Sequence, residues 1–185
     1  DEVREVIKAI RKMLEEAEKH SRDVIRADKE LLDKIARHSE EVIKEIRRLL
    51  RELEKIAKDK GGESRELEEL AKEVVERLKK LVEENVRLSR RIVETSRRLV
   101  RENKELSREI VERLEKLLRD LAKTVSEDLL RRIEEEVRRV VEALEKLNRD
   151  IEESSRRTED TARKLNERIR EVVEEVMRRV RKLVE

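Results

Sequence analysis

The chain has 185 residues, of which 53% are charged, and it contains no Phe, Tyr, Trp, Pro or Cys. Its 50 Lys and Arg nearly cancel its 48 Asp and Glu, and no three basic residues are adjacent. This excludes the clustered basic face and the stacking aromatics by which nucleic acids are held. Because no three apolar residues stand together either, it also excludes an apolar membrane span or leader core. What remains is a chain of Leu, Val, Ile, Ala, Glu, Lys and Arg with regular spacing, the composition of long helices.

The first predicted helix covers about residues 2–58. Its apolar stripe runs Val3, Ile7, Ile10, Leu14, Ala17, Ser21, Ile25, Asp28, Leu32, Ile35, Ser39, Val42, Ile46, Leu50, Leu53, Ala57. That is 54 residues in 15 steps, or 3.6 per step. A seven-residue repeat averages 3.5 and imposes a left-handed supercoil, whereas 3.6 suits a nearly straight helix. "DKGGES", Asp59 to Ser64, breaks the pattern. Gly61 and Gly62 supply the positive φ that ends a helix, and Ser64 is placed to cap the next.

The second predicted helix covers 65–122 and the third 127–184. Between them lies "KTVSED", Lys123 to Asp128. Ser126 is the expected N-cap, with Glu127 and Asp128 at the positive end of the helix dipole. Each helix would be about 85 Å long at 1.5 Å per residue. Helices of this length with such short connections must fold back on each other. The expected fold is all-α, an antiparallel up-down-up three-helix bundle forming one domain over residues 1–185.

Polar residues recur on the apolar stripes at one interval. "KHSRDVI" from Lys19 and "RHSEEVI" from Arg37 set His20 and His38 18 residues apart. "ENVRLSRRIVE" from Glu84 and "ENKELSREIVE" from Glu102 do the same for Asn85 and Asn103, and for Ser89 and Ser107. "LNRDIEE" from Leu147 and "LNERIRE" from Leu165 do so for Asn148 and Asn166. Eighteen residues are five helical turns, so each pair faces one way, about 27 Å apart.

In an antiparallel hairpin, residues at one height have numbers of constant sum. His20 with Asn103 and His38 with Asn85 both add to 123, as the first connection requires. Asn103 with Asn148 and Asn85 with Asn166 both add to 251, as the second requires. The expectation is therefore two equivalent buried polar layers: His20, Ser21, Asn103, Ser107 and Asn148, and His38, Ser39, Asn85, Ser89 and Asn166. A third lies midway, with Asp28, Thr95, Ser96, Ser154, Ser155 and Thr158; Asp accepts and hydroxyls donate, so that set can satisfy itself. Such layers cost stability but leave donors unpaired when a helix slips.

With equal helices, short connections, Glu/Lys/Arg surfaces and duplicated polar layers over its whole length, the chain resembles computationally designed helical bundles with buried hydrogen-bond networks. The resemblance carries no catalytic residues. A spectrin-like repeat is the nearest natural analogue, but its helices are shorter and its core holds aromatics.

Chemistry at these positions is not expected. The histidines are five turns apart and cannot share an ion, and the Glu-x-x-His pairs of bundle metal sites are missing, since Ala17 and Ile35 precede them by three. Neighbouring helix residues such as His20 and Ser21 point about 100° apart, which poorly supports a proton relay. "KGGES" follows no strand and is not a phosphate loop. We therefore expect no enzyme, no catalytic, metal or cofactor site, no nucleic-acid or membrane partner, and a monomeric structural scaffold without a natural biochemical function. The alternative is a helical interaction module that accepts a further helix or a second copy, which broad stripes with pairs such as Val74–Val75, Val140–Val141 and Val172–Val173 would serve.

Overall fold

A computed structural model describes residues 2–60 and 65–185. Three helices make up nearly all of it: α1 (Glu2–Lys60), α2 (Arg65–Ala122) and α3 (Glu127–Val184). They pack as a three-helix bundle. The causes are local as well as tertiary. The helices are built from strong helix formers without an interior Gly or Pro. Acidic residues occupy each first turn: Glu2 and Glu5, Glu66 and Glu68, Glu127 and Asp128. Arg119, Arg181 and Lys182 stand in last turns, where the helix dipole is negative.

α1 ends at Lys60, two residues past the expected 58. Asp59 is tolerated in a helix, so the residue after 58 does not end it. The expected roles of Gly61, Gly62 and Ser64 lie outside the described residues. At the second connection the backbone N–H groups of Thr124 and Val125 donate to the Leu121 carbonyl, at 3.1 and 2.9 Å. Ser126 immediately precedes α3, and its carbonyl accepts the first helical bond, from Leu130 N–H at 2.9 Å.

The chain divides into two compact units. Unit 1 comprises Asp1–Lys29 and Thr95–Arg157, and unit 2 comprises Glu30–Glu94 and Thr158–Glu185. In unit 1, Ile10, Ala17, Ile110, Leu114, Ile133, Val137, Val140 and Leu144 form the apolar core. In unit 2 the core includes Ile46, Leu50, Leu53, Leu67, Leu78, Leu81, Ile169, Val176 and Val180. Burying a Leu, Ile or Val side chain is worth about 1.5–3 kcal/mol, so these residues are the main favourable contribution. No large apolar side chain is exposed among the described residues.

Every position of the first stripe is buried or half-buried. Two further residues share its core face: Val24 is buried beside half-buried Ile25, and Ile43 is buried beside Val42. A helix flank about 100° wide takes both members of such neighbouring pairs.

Candidate functional site: the buried polar clusters

Among the described residues, ten polar ones are buried: Ser21, Asp28, Ser39, Asn85, Ser89, Ser96, Asn103, Ser107, Ser155 and Thr158. His20, His38, Thr95, Asn148, Ser154 and Asn166 are half-buried. The 3.6 periodicity places them there, because each substitutes for an apolar residue at a position that already faces the core.

In unit 2, one network of side chains crosses all three helices. His38 Nδ1 lies 2.9 Å from Asn85 Oδ1, and Ser39 Oγ donates to the same oxygen at 3.3 Å. Asn85 Nδ2 donates to Asn166 Oδ1 at 2.5 Å, and Ser89 Oγ donates to Asn166 Oδ1 at 3.3 Å. An amide oxygen only accepts and has two lone pairs. His38 must therefore donate from Nδ1, and both lone pairs of Asn85 Oδ1 are used, as are both of Asn166 Oδ1.

Unit 1 holds the corresponding residues in a different bonding pattern. Asn103 Nδ2 donates to Asn148 Oδ1 at 2.6 Å, and Ser107 Oγ donates to it at 3.3 Å. This repeats the Asn85–Asn166–Ser89 arrangement. His20 does not repeat His38: its Nε2 is buried and has no hydrogen-bond partner. The two sets, expected to be equivalent, thus differ at the histidine. Residue types and their 18-residue offsets are the same in both sets, so the difference does not come from which residues are present.

A second cluster in unit 1 is centred on Asp28, which is fully buried. Ser96 Oγ donates to Asp28 Oδ1 at 2.8 Å and Ser154 Oγ donates to Asp28 Oδ2 at 2.9 Å. Ser96 Oγ is also 2.8 Å from Ser155 Oγ. A hydroxyl has one proton and the carboxylate takes that of Ser96, so Ser155 supplies the proton of this second bond. Thr158 is fully buried in unit 2, and Thr95 is half-buried in unit 1.

Charged pairs at the surface add contacts that residue spacing did not reveal. In unit 1, Arg11 Nε donates to Glu136 Oε1 at 2.9 Å, joining α1 to α3. Lys104 Nζ lies 2.7 Å from Glu152 Oε1, joining α2 to α3. The hydrogen bond from Lys104, with its positive charge, holds the Glu152 carboxyl below the usual carboxylate range. In unit 2, Arg48 bridges Glu45 and Glu52 along α1, both at 2.6 Å. Its hydrogen bond lowers the Glu45 pKa, and the paired carboxylates raise its own. With charges at more than half of all positions, no sequence signal distinguishes these partners from their neighbours.

Among the described residues, no group of three His, Cys, Asp or Glu is placed to hold a metal ion. No helix among them is long and apolar enough to cross a membrane. Apart from His20 Nε2, the polar clusters pair donors with acceptors between helices, at positions that are buried or half-buried in the core.

Three long helices around a core of aliphatic and bonded polar side chains define the class: an all-α three-helix bundle. No protein-family model matches the chain, and no curated protein matches it either. It is similar to a solved structure described as a "Computationally designed three helix bundle", with a TM-score of 0.75 over 99% of this chain and 92% of that one. The two are 20% identical, so the likeness is one of fold.

Proposed function

We propose that this chain is a designed structural scaffold without a natural biochemical activity, and that its buried polar residues specify how the three helices align. The observation that carries this reading is the continuous network His38–Asn85–Asn166, with Ser39 and Ser89 attached. An apolar core of Leu, Ile and Val tolerates sliding by a turn with modest loss. A buried amide does not, because each donor or acceptor left unpaired costs about 1–3 kcal/mol. The fold shared with a designed three-helix bundle supports the reading.

The test replaces Ser21, Asp28, Ser39, Asn85, Ser89, Ser96, Asn103, Ser107, Asn148, Ser155, Thr158 and Asn166, together with both histidines, by aliphatic residues. Spin labels on exposed positions of α1 and α2 then report helix alignment as a distance distribution. The expected result is a protein that stays helical but shows a broadened or multiple distribution. A single narrow distance identical to the wild type would overturn the role in alignment.

A second reading is an interaction module. It rests on a groove of about 650 Å³ between α2 and α3 in unit 2, lined by Ala71, Val75, Val180 and Val184. Light scattering on a sizing column with refractive-index detection separates the two. A monomeric mass at micromolar concentration supports the scaffold, and a dimer or higher mass supports the module.

A further inference from the structure

We infer that His20 is a two-position side chain, a conformational element of unit 1 that its counterpart His38 in unit 2 is not. Three observations combine. First, His20 Nε2 is buried without a partner, and it is the one buried side-chain nitrogen or oxygen in that condition among the described residues. Second, the same local arrangement in unit 2 shows what the ring can reach: His38 Nδ1 meets Asn85 Oδ1 at 2.9 Å. Third, the groups that would receive His20 are built alike. Asn103 Nδ2 donates to Asn148 Oδ1 as Asn85 Nδ2 donates to Asn166 Oδ1, which leaves Asn103 Oδ1 as the acceptor that corresponds to Asn85 Oδ1.

A buried ring nitrogen without a partner costs about as much as a side chain loses in a less favoured rotamer. Neither position of the ring therefore excludes the other. In the one seen here, Nε2 is enclosed and unpaired. In the other, Nδ1 donates to Asn103 Oδ1, as His38 does to Asn85. Movement between the two makes and breaks one hydrogen bond between α1 and α2 while the Asn103–Asn148 bond stays in place. The element depends on these bonds and not on whether the polar residues govern helix alignment.

With two histidines and no aromatic residue in the chain, imidazole resonances are uncrowded. Long-range proton–nitrogen spectra and ring-carbon relaxation, at about pH 9 where ordinary imidazoles are neutral, test the inference on the intact protein. His38 should show one tautomer, protonated at Nδ1, and no exchange. His20 should show averaged nitrogen shifts or exchange broadening, together with through-space contacts to the Asn103 amide. Asn103→Leu removes the second position, and the His20 signals should collapse to a single state while those of His38 stay unchanged. Should that variant not fold, the wild-type spectra decide alone. A single static His20, either bonded like His38 or held away from Asn103, would overturn the inference, and so would exchange that persists in folded Asn103→Leu.

Discussion

Ser96 Oγ sits 2.8 Å from Asp28 Oδ1, and both residues are completely shielded from solvent. Losing this bond leaves a buried acceptor short of a partner and without access to water, which costs about 1–3 kcal/mol. Ser96→Ala should therefore destabilise the protein by about that amount in chemical denaturation followed by circular dichroism. In an Asp28→Leu background the same substitution should cost far less, because the group that needed the hydroxyl is gone. Equal costs in both backgrounds would show that the bond contributes little.

His38 and His20 should respond in opposite ways to the same replacement. His38→Leu deprives the buried Asn85 of a hydrogen-bond partner and should cost about 1–3 kcal/mol. His20→Leu removes a nitrogen that already lacks a partner and should cost under about 0.5 kcal/mol, or stabilise. A double-mutant cycle of His38→Leu with Asn85→Leu should show coupling above about 0.5 kcal/mol, and one of His38→Leu with Asn103→Leu none beyond error. Coupling of similar size in both cycles would mean that the polar residues do not act as separate sets.

The Lys104–Glu152 pair gives a small acid-side effect. The lysine lowers the folded pKa of Glu152 below its unfolded value. Its contribution is thus present above the unfolded pKa and is lost as pH falls through the folded one. The Glu152 side chain keeps 32% of its exposure and Lys104 keeps 51%, so solvent screens the pair. Glu152→Gln should cost less than about 1 kcal/mol at neutral pH and nothing near pH 2, with the gap closing below about pH 4.5. A gap that stays constant across that range would exclude ionisation as its source.

Ile46 in unit 2 and Leu114 in unit 1 are fully buried. Ile46→Ala and Leu114→Ala should each cost about 2–5 kcal/mol through lost burial and the cavity left behind. If residues 1–185 form one cooperative domain, each substitution shifts one and the same thermal transition. Calorimetry resolving two transitions, each moved by only one of the substitutions, would establish two domains.

The helical fold and the faces that turn inward are legible in the order of residues alone. The 3.6 spacing needs only the geometry of a helix and the hydrophobic effect. Every residue of the stripe from Val3 to Ala57 avoids full exposure for that reason. Polar residues written into the stripe, such as Asp28 and Asn85, go inside with it.

The choices between near neighbours come from packing. Helix neighbours point about 100° apart, so only the packing partner decides which of them is enclosed. Ser96 and Ser155 are buried while Thr95 and Ser154 are half-exposed. Val24 is enclosed more fully than Ile25. Arg11 pairs with Glu136 although many other carboxylates are available, because a chain with 53% charged residues does not mark which two will meet. The same limit separates His20 from His38. Their sequence contexts match, but a hydrogen bond depends on an orientation good to a few tenths of an ångström and tens of degrees. Residue spacing does not carry information that fine.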